Sequence, residues 1–183
     1  EGNTLTESET KILLEDGLTV GGKPLRDTFE ALGHAQAYDF MFTLLGRREI
    51  TEEDALTMHR MFYKDIDGEA AGQAPVGHDQ RHLAPAHHAH AYLQALFSGE
   101  MAELFSWAEN KRAEYHPVEF ATQLHKRFVF IHPFIDGNGR LSRLLMNTGL
   151  IQDGYMLAVI PPILRQEYIS LLERAHHDDR PLM

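Results

Sequence analysis

Apolar positions recur at three- and four-residue spacing along most of this chain, the periodicity of amphipathic helices. Two runs carry it most clearly. Phe120, Leu124, Phe128 and Ile131 form one stripe, and Leu141, Leu144, Leu145 and Leu150 form another. Between them the pattern breaks at His132-Pro133-Phe134-Ile135-Asp136-Gly137-Asn138-Gly139-Arg140-Leu141-Ser142-Arg143. The reading is helix, tight loop, helix, with Pro117 early in the first helix, where a missing N–H does no harm.

The remaining elements follow from caps and breakers. Thr6 with Glu9 three positions on forms a capping box and starts a helix through Leu14. Gly17 and Gly21-Gly22 break that unit. Pro24 opens a long helix from Leu25 to Leu45, with Leu32, Ala35, Tyr38, Phe42 and Leu45 as its stripe. Gly33 weakens this helix locally, and His34 reads as a polar-face residue. Thr51 with Asp54 makes a second box, and Ala55, Met58, His59, Met61 and Phe62 carry a helix to about Ile66 as core. Residues 67–85 are irregular and poor in large apolar residues, a surface loop by pattern. Tyr92, Leu93, Leu96 and Phe97 mark the buried side of a helix that Gly99 ends; Met101 to Trp107 continues helically, with Trp107 in the core. Gly154 and Pro161-Pro162 interrupt again. A last helix spans Arg165 to Ala175, with Tyr168, Leu171, Leu172 and Ala175 inward. The fold class is all-α.

At 183 residues, 43% of them hydrophobic, the chain makes one domain with a real core. A net charge of −10 argues against a nucleic-acid partner. With no cysteine there is neither a disulfide scaffold nor a thiol nucleophile. No apolar run reaches membrane-spanning length, and no leader pattern opens the chain, so a soluble, cytoplasmic protein without a membrane partner is expected. The missing initiator Met suggests processing or truncation. Histidines cluster at His78, His82, His87, His88 and His90, but on a helix His88 and His90 do not face one another, and solvated polar side chains account for them better than a metal.

The loop at 132–143 carries the chemistry. Gly137 and Gly139 permit backbone conformations closed to other residues, so successive N–H groups can form an anion-binding nest. The helix beginning near Gly139 adds its free N–H groups and dipole. Arg140 and Arg143, three apart and roughly on one face, suit phosphate oxygens. Asp136 is a hard oxygen ligand for Mg²⁺ beside phosphates, and His132 can take a proton near neutral pH. Each residue has a plainer reading. Gly-Asn-Gly makes a turn, His before Pro ends a helix, Asp136 caps, and the arginines are solvated. Together they suggest transfer from a nucleoside triphosphate.

His132 to Arg143 resembles, without gaps, the signature of Fic-domain proteins: His-Pro-Phe, any residue, Asp or Glu, Gly-Asn-Gly-Arg, two variable residues, Arg. The order of the flanking helices is similar too. The resemblance implies one Fic domain over 1–183, a helical bundle around a central helix-loop-helix with a short β-hairpin flap. It implies transfer of AMP from ATP to a Ser, Thr or Tyr hydroxyl of a protein substrate, the chain itself among the candidates, with a homodimer admitted. By the same resemblance His132 is the base and Asp136 the Mg²⁺ ligand. Gly137, Asn138 and Gly139 are the phosphate loop. Arg143 holds the γ-phosphate, Arg140 supports the phosphates and loop, and Tyr168 lines the adenine side. Residues 67–85, with Pro75 to Leu83 at their centre, match the flap that aligns the target by strand-like pairing; Ala71-Gly72 is followed by Gln73-Ala74 where many relatives carry Tyr-Arg. Within 1–6, Glu1-Gly2 resembles the end of an inhibitory motif whose Glu pairs with the second signature arginine. The alternatives are transfer of another phosphate-bearing group, removal of AMP, or nucleotide binding without turnover. A kinase-like relative departs from the intact Gly-Asn-Gly form.

Overall fold

The structure, a computed structural model, describes residues 3–19, 21–66, 72 and 87–178; for 87–98 and 176–178 only the backbone is considered. Its helices are α1 (Glu7–Asp16), α2 (Leu25–Thr43), α3 (Glu52–Tyr63), α4 (His87–Lys111), α5 (Pro117–Ile131), α6 (Asn138–Gln152) and α7 (Arg165–Asp178). Single 3₁₀ turns follow α2 (Leu44–Gly46), follow α4 (Arg112–Glu114) and precede α7 (Pro162–Leu164). No strand occurs among the described residues. Apart from Gly72, the flap expected over 67–85 lies outside them, as do Glu1, Gly2, His78 and His82. The side chains of His87, His88, His90, Tyr92, Leu93, Leu96 and Phe97 do too.

Both capping boxes form. Thr6 Oγ1 accepts from Glu9 N while the Glu9 carboxylate accepts from Thr6 N, and Thr51 and Asp54 do the same. Such a cap is worth about 1 kcal/mol. The Thr4 backbone and hydroxyl both donate to Asp27 at the start of α2, and Asn3 Nδ2 donates to the Asp27 carbonyl. The Thr4 hydrogen bonds hold the Asp27 carboxyl below its ordinary pKa. The segment leading into α1 is thereby tied to α2.

α5 and α6 pack against one another over their lengths, α2 and α3 pair beside them, and α4 closes the far side of α5. The core they enclose is rich in Phe and Met: Met41, Met58, Phe62, Phe120, Leu124, Phe128, Leu141 and Leu145 are all essentially inaccessible. The stripes of α5 and α6 are placed as their spacing requires. Trp107 packs on this core, half-buried and stacked on Phe120 at 5.7 Å.

Four expectations need correction. α2 buries Gly33, Ala37, Met41 and, in its terminal turn, Leu44. Tyr38, Phe42 and Leu45 are exposed, and Ala35 and Tyr38 face a cleft toward α1. The buried face is set by closeness: a Cβ on Gly33 would meet the Met61 carbonyl oxygen at 2.4 Å and Phe62 Cα at 2.9 Å. The two helices touch through backbone there, so the smaller residues turn inward. His34 is not simply a polar-face residue, since it is half-buried and stacks on Phe62 at 5.6 Å. Gly99 does not end a helix: α4 runs through it for 25 residues. One internal glycine costs only about 1 kcal/mol, and Met101, Leu104, Phe105 and Ala108 bury themselves just beyond it. In α7, Leu171 faces outward at 51% exposure, while Tyr168, Leu172 and Ala175 lie half-buried.

The close approach at Gly33 yields a test. Ala has the better helix propensity by about 1 kcal/mol, yet Gly33→Ala is expected to destabilise the protein by about 1–3 kcal/mol, because the added methyl must push α3 away. A urea melt in which Gly33→Ala matches or exceeds the wild type would remove this contact from the account.

Candidate functional site

His132 sits where α5 stops. Pro117 is the first residue of that helix and the His116 side chain accepts from Val118 N. Phe120, Ala121, Leu124, His125 and Phe128 anchor the buried face, so the helix is a rigid mount. His132 closes it in the left-handed region, φ 50° and ψ 55°, its N–H donating to the Phe128 carbonyl at 3.1 Å. Among the described residues it is the one non-glycine with positive φ. That conformation costs about 1–3 kcal/mol, the kind of outlier that collects at functional positions. Its side chain is exposed. His132 therefore ends the helix and also presents an imidazole at the rim of the loop.

The loop is fastened from inside. Phe134 is 2% exposed, and its ring stacks on His59 with centroids 3.7 Å apart. Asn138 is buried and clasps the Phe134 backbone at both groups: Phe134 N donates to Asn138 Oδ1 at 3.0 Å, and Asn138 Nδ2 donates to the Phe134 carbonyl at 2.6 Å. The side chain of Asn138 thus holds the loop's shape. His59 joins in from α3. Gly72 N donates to His59 Nδ1 at 2.8 Å, so Nε2 carries the proton and donates to the Asp136 carbonyl at 3.1 Å. Burial pushes the His59 pKa down to about 4, the nearby Arg140 adding to the effect against the opposing bond to Asp136.

α6 starts immediately after. Gly137 has φ 81° and is its N-cap, and no side chain caps it there. The first turn of α6 holds no acidic residue, whereas the first turns of α1 and α3 carry two and three. A helix start of this kind can favour an external anion. Gly139 is not in the left-handed region that sequence reading reserved for it; it is helical, within the first turn. Its contribution is the missing side chain on a cleft wall.

Arg140 and Arg143 do not share a face. Arg140 turns toward α2, 12% exposed, 3.6 Å from Glu30 and 3.4 Å from Asp136. Arg26 completes a ring of four ion pairs, 3.1 Å from Glu30 and 3.1 Å from Asp136. Three residues leave two side chains about 60° apart around a helix, and the acidic partners on α2 and the loop draw Arg140 to their own side. Arg143 lines a separate cleft of about 380 Å³ together with His132, Gly139, Tyr168, Arg165 and Pro162. Tyr168 thus meets the signature residues, and its hydroxyl lies 2.9 Å from His125 Nε2. A second, wider cleft of about 620 Å³ runs between α1 and α2, with Arg140 at its edge.

The cleft brings together His132, Gly139, Arg143 and Tyr168. Asp136, Gly137, Asn138 and Arg140 are not among its lining residues, and Glu1 is outside the described residues. Asp136 is 45% exposed; its Oδ1 accepts from Gly137 N at 2.7 Å and its Oδ2 faces the two arginines. Among the described residues no cluster of three His, Asp or Glu side chains could hold a metal alone. Sequence reading missed Arg26, Glu30 and His125. Only His125 left a signal, standing seven residues before His132 and so on the same side of α5.

The model of the Fic/DOC family matches residues 49–150. The chain belongs to this family. Two proteins named protein adenylyltransferase Fic, from Drosophila willistoni and Drosophila grimshawi, are each 36% identical across 100% of this chain, covering 36% and 38% of their own lengths. The chain therefore spans little more than a third of the curated relatives it matches. Among solved structures, Fic-1 (aa134 - 508) from C. elegans superposes with a TM-score of 0.82 at 30% identity over 97% of this chain and 52% of that one. A Fic domain containing signaling protein from Bacteroides thetaiotaomicron gives 0.80 at 29% identity over 94% and 66%. The Fic fold expected from the signature is thus the fold observed.

The buried histidines of the Fic core set a pH dependence. Burial lowers His59 to about 4, and burial together with Arg143 lowers His125 to about 4, against an ordinary value of 6.5. Between those values the unfolded chain binds protons that the native state refuses, so the stabilising effect is complete above pH 6.5 and is lost as pH falls toward 4. Each histidine should cost on the order of 1 kcal/mol per pH unit through that window. Urea midpoints measured from pH 7 to pH 5 are expected to fall, and to fall less steeply in His59→Gln. A flat wild-type profile would contradict neutral burial.

Proposed function

We propose that this Fic domain transfers AMP from ATP to a Ser, Thr or Tyr hydroxyl of a protein substrate. The observation that carries the reading is the single cleft lined by His132, by Gly139 at the uncapped start of α6, and by Arg143. The names of the adenylyltransferase relatives support it.

In this reading the phosphates of ATP lie against the first N–H groups of α6, where the helix dipole favours negative charge. Arg143 grips the terminal phosphates with its planar fork. Gly139 lets the chain of phosphates approach the backbone. His132 takes the proton from the target hydroxyl, the oxygen attacks the α-phosphorus, the bond from that phosphorus to the β-bridging oxygen breaks, and pyrophosphate leaves. Proton transfer of this kind commonly contributes about 10²–10⁴-fold. Arg140, Glu30 and Arg26 hold the Asp136 end of the loop. Asn138 and His59 hold its backbone.

Asp136 suits magnesium by the chemistry of its donor set, because that ion is commonly held by one or two carboxylates together with substrate phosphates. Its half-exposed carboxylate at the loop would hold the ion, which when bound would neutralise phosphate charge.

Two substitutions test the assignments. His132→Ala is expected to keep the fold and ATP affinity while lowering AMP labelling at least ~10²-fold; labelling equal to wild type at pH 7 would dismiss His132 as the base. Asp136→Ala should remove the Mg²⁺ dependence of ATP binding in calorimetric titrations run with and without the ion. If the metal still raises affinity in that variant as it does in the wild type, Asp136 is not the ligand.

A further inference from the structure

α7 forms the far wall of the nucleotide cleft, yet it is thinly seated. None of its residues from Arg165 to Ala175 is buried. The chain leading to it exposes Met156 at 90%, Val159 at 83% and Ile163 at 89%. A helix held by so little apolar contact takes its position from a few specific bonds. One reaches into the body of the protein: the Tyr168 hydroxyl lies 2.9 Å from Nε2 of His125, a residue on α5 that is 4% exposed. The two rings meet edge to face, 5.7 Å apart at 64°. The cleft is lined by two kinds of surface. Arg143 and Gly139 serve phosphate, while Tyr168, Ile169, Leu172 and Pro161 offer the apolar and aromatic surface that a base stacks on.

We propose that His125 is a positioning residue for the nucleotide: it holds the Tyr168 hydroxyl, and through it α7, at the distance that fits a purine base into the cleft. This rests on the adenylyltransferase reading of the site. His125 sits two turns before His132 on the same helix, so the base wall and the catalytic imidazole are referred to one rigid element. Burial and Arg143 keep the ring neutral, with its pKa near 4. A neutral imidazole keeps one donor and one acceptor and adds no positive charge beside the arginine that meets phosphate.

The test compares wild type, Tyr168→Phe, His125→Ala, His125→Gln and the Tyr168→Phe/His125→Ala double variant. ATP affinity is measured by calorimetry with a non-hydrolysable ATP analogue, and labelling kinetics are measured alongside. Loss of one hydrogen bond is expected to raise the ATP Kd and KM about three- to tenfold. kcat should stay within about twofold, the pattern of lost binding without lost chemistry. The double variant should be no worse than the weaker single one, since both changes remove the same bond. His125→Gln, whose amide can still meet a hydroxyl, should recover most of the affinity. Should His125→Ala fail to fold, Tyr168→Phe carries the test, because it removes one oxygen from a half-buried side chain. Unchanged KM in Tyr168→Phe, a fall in kcat at constant KM, or His125→Gln as poor as His125→Ala overturns the proposal. A wild type that binds no ATP analogue overturns the reading of the site itself, and this proposal with it. A wild type that binds and labels, with variants matching it, overturns this proposal alone.

Discussion

Phe134 is an apolar residue in the middle of a polar loop, and its burial constrains everything around it. The chain must leave α5, bring one ring down onto His59 and Phe128, and rise again into α6 within six residues. Burying the ring of Phe134 also buries its backbone groups, which must then find partners inside the protein. The Asn138 amide supplies both. Once that clasp is closed, little freedom remains for the rest of the loop. His132 is driven into the left-handed region to stop α5, Gly137 takes positive φ to start α6, and the Asp136 carbonyl is turned toward His59. The strain at His132 is thus supported by the burial of a neighbour two residues away.

The parts of this geometry legible in the sequence are those specified locally. Capping boxes at Thr6 and Thr51 rest on contacts three residues apart, and both form where the spacing puts them. The stripes of α5 and α6 were legible because their apolar residues are large and face a common core. α2 misled for the opposite reason. Its large residues Tyr38, Phe42 and Leu45 point outward, and the face that matters is marked by Gly33 and Ala37, whose value lies in being small. A hydrophobicity pattern scores size, whereas helix contact through backbone rewards its absence. Gly99 misled by the same logic reversed, because its local cost is small beside the burial that follows it.

The site divides along a similar line. The signature residues could be named in advance because they are contiguous. Their division of labour could not, because it depends on what other helices bring. Arg140 meets Glu30 on α2 and Asp136 on the loop, with Arg26 closing the ring. Two of those four residues lie more than a hundred positions from the signature, and nothing in their own neighbourhood marks them. His125 left only its spacing from His132, and His59 read as core, since a histidine on an apolar face gives no sign of its partners.

The chain carries ten more formal negative charges than positive ones, a field that repels a triphosphate at long range. On the proposed function, binding such a ligand requires local positive potential where the surrounding acids are already matched. Arg140 is half of that solution: by pairing with Glu30 and Asp136 it neutralises the carboxylates nearest the loop. The uncapped amides of α6 and the guanidinium of Arg143 are the other half, set on the cleft side of the same helix. Neutral His125 and His59 fit this division, because a charged imidazole in either place would disturb a balance struck over a few ångströms. Two arginines three residues apart consequently do different work. Arg140 pairs with the acids around the loop, and Arg143, in the proposed reading, meets the anion.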